Sequence, residues 1–233
     1  MSSTAVGAVG AKPAPATFVG RLFSSTIGQK LIMAATGVGL SLFVLGHMSG
    51  NLLAFQGPEA LDAYGAALRK FPAALWGARI GLLVAIALHI WAYLALTVRS
   101  NTARPEGYRV AAYRESTLAS RTMRWSGPLL LAFIIFHLLD LTIGTVNPGF
   151  VHGEVYRNLK ASMARPAVAA FYLVALASLA LHLHHGIWSM FQTVGASQPR
   201  YDSIGRKLAT IFTIVVVGGF AAVPVAFLLG LLN

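Results

Sequence analysis

Five long stretches of mostly apolar residues follow one another along this chain, separated by short polar segments. About 20 residues of α-helix cross the ~30 Å hydrocarbon core of a bilayer. A backbone in lipid must satisfy its own amide hydrogen bonds, and a helix does so. The sequence therefore predicts an all-α membrane protein, a five-transmembrane-helix bundle. The spans are expected at about residues 31–55, 74–98, 125–146, 166–194 and 208–232.

The composition supports a membrane protein. Hydrophobic residues make up 56% of the 233 residues and charged residues only 11%, about half the charged share of a soluble domain. Residues 1–17 are rich in Ala, Gly, Ser and Pro, and we expect them to form a disordered tail. They lack the apolar core of a signal peptide, so we expect no cleavage. Residues 18–233 are expected to form the transmembrane domain.

The sequence contains no cysteine. Thiolates are needed to ligate an ordinary iron–sulfur cluster, to attach a haem covalently or to form a disulfide. Any such chemistry must therefore belong to a partner protein.

Positive charge is distributed unequally between the two sets of loops. The segment before the first span, the second loop and the fourth loop contain twelve of the eighteen Lys and Arg residues. Cytoplasmic loops carry such an excess. We therefore predict a multi-pass protein of the bacterial cytoplasmic (inner) membrane with its amino terminus cytoplasmic. The net charge of +11 is mainly a topology signal, and cations in short loops between spans argue against a nucleic-acid partner.

Histidines lie inside four of the five predicted spans. They are His47, His89, His137 and a cluster of His182, His184 and His185. An ionisable residue inside a span is costly and marks a functional site by default. A single one is more often a hydrogen-bonding residue between helices. Recurrence in four spans favours haem, whose iron takes an imidazole nitrogen as ligand.

The depth of each histidine, at ~1.5 Å of helix rise per residue, predicts two pairs. His47 and His137 fall toward the outer side, and His89 and His182 toward the inner side. This arrangement predicts two bis-histidine haems b, one above the other, that carry electrons across the bilayer.

Three segments carry a resemblance to a known family. They are HMSGN at 47–51, FHLLD at 136–140 and HLHHGIWSMFQTVG at 182–195. With the order of histidines across five spans, they resemble the single-chain, di-haem cytochrome b subunit of succinate dehydrogenases and fumarate reductases. The resemblance covers the chain beyond the tail. In that family one histidine in each of the first four spans ligates haem, which implies His47, His89, His137 and His182 here.

The fourth span offers more than one candidate ligand. At 100° per residue, His185 shares the helix face of His182, and it stays an alternative ligand or a neighbouring partner. His184 points away, toward another helix or the lipid headgroups. In the family the ligand lies four residues before the glycine matched by Gly186, which favours His182.

The resemblance also implies partners and a place in the tricarboxylic acid cycle. It implies a flavoprotein subunit with FAD and an iron–sulfur subunit on the cytoplasmic side, and a quinone in the membrane, with menaquinone the expected type. The chain would be a subunit of succinate dehydrogenase or fumarate reductase without dehydrogenase chemistry of its own. Some members carry a glutamate for proton transfer two residues before the fourth ligand. Ala180 stands there in this chain, which argues against that proton route.

Two other functions fit part of the pattern. A cytochrome b anchor of the hydrogenase or formate dehydrogenase type would also place histidines in its spans without cysteine. A haem-free transporter that uses histidines is the non-redox alternative. It predicts a colourless protein, whereas haem gives a visible absorption spectrum.

Three further residues are candidates for quinone binding or proton transfer at the outer side, namely Asp140, Asp62 and Tyr64. Asp140 lies three residues after His137 on the same helix face. A charged carboxylate at that depth is costly unless a cation or a hydrogen-bond donor compensates it. The alternative is a structural role for Asp140. In that case the quinone site is expected elsewhere, for instance at the inner side near Ser25 and Lys30.

Overall fold

The structure is a computed structural model that describes residues 17–103, 117–196, 198, 200 and 202–232. Five helices within these residues are long and apolar enough to cross a membrane, which confirms the predicted all-α, five-span architecture. The predicted tail lies outside the described residues except for Thr17, which caps the first helix. The cytoplasmic position of the amino terminus stays a prediction.

Shorter helices accompany the five spans. In residues 17–103 the helices are α1 (Phe18–Ser24), α2 (Thr26–Asn51), α3 (Pro58–Arg69) and α4 (Pro72–Thr102). In residues 117–232 they are α5 (Leu118–Leu138), α6 (Val155–Met163), α7 (Pro166–Thr193) and α8 (Asp202–Leu228). A 3₁₀ turn at Leu52–Gln56 extends α2, and a π-helical turn at Leu139–Ile143 extends α5.

The ends of the spans differ from the predicted ends because their first turns are polar. α2, α5 and α8 all begin several residues before the apolar runs. The Ser25 side chain accepts a hydrogen bond from Gly28 N at 3.0 Å, and the Thr117 side chain accepts one from Ser120 N at 3.2 Å. Such caps satisfy amide groups that the helix itself leaves unpaired. α8 ends at Leu228, a few residues before the predicted end.

α7 occupies the middle of the bundle. It packs on α2, α5 and α8, and α2 also packs on α4 and α8. Alanines lie where the helices approach each other, and Ala92, Ala169 and Ala209 are fully buried. Small residues allow close helix packing in membranes. Many large apolar side chains on the outer surfaces are exposed, as expected for spans that face lipid.

Two short helices that the hydropathy pattern did not predict, α3 and α6, cover one end of the bundle. Tyr156, Leu159 and Met163 form the buried face of α6 at helical spacing. They belong to a hydrophobic cluster with Leu61 of α3 and Tyr172 of α7. We call this end of the bundle the α3/α6 end.

Candidate cofactor site: two histidine pairs

The first histidine pair joins α2 to α5. The imidazole rings of His47 and His137 lie with their centroids 5.8 Å apart and their planes at 80°. Phe43 stacks on the His47 ring at 5.4 Å, and Phe220 of α8 lies 5.7 Å from it. Two aromatic side chains therefore flank the ring of His47.

The second pair joins α4 to α7. The rings of His89 and His182 lie 6.2 Å apart at 54°. His184 turns away to α8, where its Nε2 lies 3.2 Å from Thr210 Oγ1. His182 is thus the histidine of the cluster whose ring meets His89. The structure brings the four histidines together in the same two pairs that their depths predict.

The spacing of each pair suits one metal ion between two rings. A first-row metal ion lies roughly 2 Å from an imidazole nitrogen, so two rings that share one ion have centroids roughly 6 Å apart. The described residues contain no group of three or more His, Asp or Glu side chains that could hold a metal ion. The four histidines lie in two pairs, and a pair of histidines is the donor set of a bis-histidine haem.

Hydroxyl groups contact the Nδ1 atoms of three of the four histidines. His89 Nδ1 lies 3.1 Å from Thr36 Oγ1, His182 Nδ1 lies 3.4 Å from Ser126 Oγ, and His137 Nδ1 lies 3.2 Å from the Tyr172 hydroxyl. A partner on Nδ1 leaves Nε2 available for a metal and fixes the ring orientation. At His47 the contact lies on Nε2, which is 3.5 Å from Asn51 Nδ2 and at the limit of a hydrogen bond.

Glycines leave open space along the same helices. A Cβ atom added at Gly46, Gly127 or Gly186 would meet no atom within 4 Å beyond its own helix. At Gly37 an added Cβ would lie 3.5 Å from His89 Cε1. A flat, apolar macrocycle needs such room beside its ligands, so the donor set and the small residues both fit haem.

Asp140 is fully buried at the α3/α6 end. It forms an ion pair with Arg165, accepts a hydrogen bond from Ser162, and accepts another from the Tyr172 hydroxyl at 3.1 Å. Arg165 also donates to the Val146 carbonyl at 2.6 Å. A cation and hydrogen-bond donors therefore both compensate the Asp140 carboxylate. These contacts support a structural role for Asp140.

The other two quinone candidates contact neighbouring helices. Asp62 Oδ1 accepts a hydrogen bond from Tyr156 N at 2.9 Å and caps the first turn of α6. The Tyr64 ring packs on Gly50, where an added Cβ would lie 2.7 Å from Tyr64 Cε1. Tyr64 nevertheless keeps 38% of its surface exposed.

A cavity of about 180 Å³ opens at the α3/α6 end. Leu141 and Thr142 of the π-helical turn form one wall, close in sequence to His137. Three potentially cationic side chains line it as well, namely Arg69, Arg79 and His152. A second cavity of about 300 Å³ lies at the opposite end between α7 and α8, and it is lined mainly by apolar residues such as Trp188 and Phe191.

Sequence reasoning missed the polar partners of the histidines. Thr36 lies eleven residues before His47 and Ser126 eleven before His137. Eleven residues make about three helical turns, so each hydroxyl shares a helix face with a histidine. The eleven-residue spacing could have indicated that these hydroxyls contact histidines. It is hard to interpret from one helix, because each hydroxyl contacts a histidine of the other pair.

The comparisons with known proteins agree with this geometry. The family model "Succinate dehydrogenase/Fumarate reductase transmembrane subunit" matches residues 99–222. The succinate dehydrogenase cytochrome b558 subunit of Bacillus subtilis (strain 168) is 22% identical over 182 residues, which cover 77% of this chain and 83% of that protein. No solved structure matches the chain significantly. The predicted family is confirmed. The chain belongs to the family of succinate dehydrogenase/fumarate reductase transmembrane subunits.

Proposed function

We propose that this chain is the membrane-anchor cytochrome b of a succinate:quinone oxidoreductase. In this role it carries electrons between an iron–sulfur partner subunit and membrane quinone through two bis-histidine haems b. The observation that carries the proposal is the pairing of four imidazole rings from four different spans at 5.8 and 6.2 Å.

The chain supplies the ligands and their surroundings, and bound haem supplies one-electron transfer. His47 and His137 would hold one haem, and His89 and His182 the other. Thr36 and Ser126 orient the rings of the second pair. Phe43 and Phe220 exclude water from the ring of His47, and a water-free shell is one of the means by which a protein sets a haem potential.

The partner subunits are proposed to dock at the end of the bundle opposite α3 and α6, on the cytoplasmic side. Basic side chains concentrate there. Arg99 ties α4 to Ser24 and to Thr26 Oγ1, the latter at 3.2 Å, while Arg206 lies over the Trp188 ring at 4.5 Å. The Bacillus subtilis relative is named as a subunit of succinate dehydrogenase, which supports the flavoprotein with FAD and the iron–sulfur subunit that the family resemblance implies.

The quinone is proposed to bind at the α3/α6 end, in the cavity near His137. The support is its position beside the π-helical turn and its mixed lining of apolar and donor groups. Of the three candidates from the sequence, Tyr64 is the exposed one. It does not line this cavity, and it is proposed to contact a quinone at the same end of the bundle. Asp62 and Asp140 are proposed to act through the helices that they hold in place.

The test is purification of the intact complex in detergent, with haem, flavin and succinate–quinone activity measured together. Two haems b per chain with FAD in a stable partner support the proposal. Haem with a hydrogenase or formate dehydrogenase partner would support the alternative redox anchor. A colourless chain would support the haem-free transporter.

A further inference from the structure

We propose that Tyr172 is a positioning residue for the haem held by His47 and His137. Its hydroxyl joins the imidazole of His137 to the buried carboxylate of Asp140. The link fixes which ring nitrogen faces the iron and makes that nitrogen a stronger donor. The inference rests on the proposed function, because it requires haem at this pair.

The direction of each hydrogen bond follows from counting protons. Asp140 forms an ion pair with Arg165, and a carboxylate in an ion pair only accepts hydrogen bonds. The single hydroxyl proton of Tyr172 is donated to Asp140 Oδ2 at 3.1 Å. The tyrosine oxygen can then only accept from His137 Nδ1, which lies 3.2 Å away. His137 therefore carries its proton on Nδ1 and presents the Nε2 lone pair to the iron.

Burial makes this link hard to replace by water. Tyr172 has 8% of its surface exposed and Asp140 has none. The Tyr172 ring packs edge-on against Phe133, with centroids 4.9 Å apart, and Phe133 also lies 5.7 Å from the His137 ring. Loss of the hydroxyl alone would leave this packing in place and would leave His137 Nδ1 without its partner.

The charge at the end of the link has a chemical consequence. A histidine whose second nitrogen donates toward a carboxylate is a more basic ligand. A more basic axial ligand favours oxidised iron over reduced iron and lowers the midpoint potential of the haem. Asp140 and Tyr172 are thus expected to lower the potential of the haem at the His47–His137 pair.

The second pair offers a matched control. The Thr36 hydroxyl donates to the Ile32 carbonyl at 2.7 Å, so its oxygen accepts from His89 Nδ1 in the same manner. This link ends on a neutral backbone carbonyl and contains no carboxylate. The Thr36→Val change removes it and should affect only the haem at His89 and His182.

The experiment compares wild-type, Tyr172→Phe and Thr36→Val forms of the intact complex by haem content and by redox titration of each haem. Tyr172→Phe should keep both haems and raise the midpoint of one by about 59 mV, which corresponds to a tenfold change for a one-electron couple. Thr36→Val should shift the other haem. Selective loss of the haem at His137 in Tyr172→Phe would also support the link.

Other outcomes overturn the inference. If wild type holds two haems and Tyr172→Phe leaves both midpoints unchanged, Tyr172 does not act on its ligand. Loss of both haems in Tyr172→Phe would indicate that Tyr172 is needed for folding. In that case Asp140→Asn, which keeps the side-chain shape and removes the charge, is the second test. If Asp140→Asn does not raise the midpoint potential of one haem alone, the inference is wrong. A wild-type complex without haem at His137 would instead refute the proposed function itself.

Discussion

At the scale of single residues, three of the four proposed ligands, His89, His137 and His182, contact a hydroxyl from a different helix. His89 of α4 contacts Thr36 of α2, and His182 of α7 contacts Ser126 of α5. Imidazoles alone could bind iron in several orientations. Hydroxyls on neighbouring spans restrict the rings of three of the four histidines to one orientation, which favours a site with a defined potential.

Replacement of a ligand should remove one specific haem. His47→Ala and His137→Ala are each expected to lower the haem content from two to one per chain and to remove the same spectral component. His89→Ala and His182→Ala should remove the other component. The measurement is the haem-to-protein ratio together with low-temperature absorption spectra.

His184→Gln is the control, because His184 contacts Thr210 of α8 and belongs to neither pair. It should keep both haems. Losses that cross the two pairs would show that the pairing of ligands is wrong.

The buried ion pair gives a stability prediction. Arg165→Leu leaves the fully buried Asp140 carboxylate without its cation, whose own side chain is 30% exposed. Loss of one partner of a buried pair costs up to about 3–5 kcal/mol. Arg157→Leu removes an exposed pair with Glu154, whose side chains are 61% and 47% exposed, and should cost less than about 1 kcal/mol. Thermal unfolding of the purified complex measures both, and equal losses would contradict the buried pair's role.

The pairing of the histidines was predictable from the sequence, whereas their polar partners were not. His47, His89, His137 and His182 are polar residues in apolar runs, and their depth follows from helix rise. The contact of Tyr172 with His137 depends on how α7 rotates against α5. That rotation depends on the packing of the whole bundle and cannot be predicted from a single sequence.

At the scale of helices, hydropathy predicted the five spans and missed the short helices α1, α3 and α6. α3 and α6 are amphipathic and contain too few apolar residues to register as spans. Their apolar faces are buried only because they pack on the end of the folded bundle. The π-helical turn at Leu139–Ile143 was equally unpredictable. It ends at Gly144, whose φ of +89° favours glycine.

Gly144 is expected to be important for the position of Asp140. In Gly144→Ala the new Cβ would meet the Phe150 ring, and the left-handed backbone would be strained. Strain costs about 1–2 kcal/mol and overpacking about 1–3 kcal/mol more. Gly153→Ala is the matched control, because its φ is +96° and no atom lies within 4 Å of the added Cβ.

The two variants separate strain from steric conflict. Gly144→Ala should lower the unfolding temperature more than Gly153→Ala, and it should disturb the spectrum of the haem at the His47–His137 pair. If the two variants unfold at the same temperature, the contact with Phe150 has no effect on stability.

At the scale of the whole molecule, the two cavities lie at opposite ends of the bundle. One is lined by residues that follow His137 in the chain, and the other by residues that follow His182. The proposed route therefore has a membrane substrate near His137 and a protein partner near His182.

Tyr64→Phe is expected to raise the KM for quinone about fivefold, the effect of one hydrogen bond worth ~1 kcal/mol. Haem content should stay at two per chain.

Tyr93→Phe in α4 serves as the control for the loss of a tyrosine hydroxyl. Steady-state kinetics with a soluble quinone analogue distinguish the two variants. An unchanged KM in Tyr64→Phe, with a raised KM in a Ser25→Ala variant, would move the quinone site to the opposite end.

The eleven-residue spacing in α2 and α5 ties the two sites to one another. Each of these helices presents a ring to one site and, three turns away, a hydroxyl to the other. A helix that slides along its axis to suit one cofactor would pull the hydroxyl away from the ring that holds the second. The contacts at the two sites together fix the axial position of α2 and α5. An apoprotein that captures its first haem has already set the helix register for the next one, so half-filled chains should be scarce during assembly.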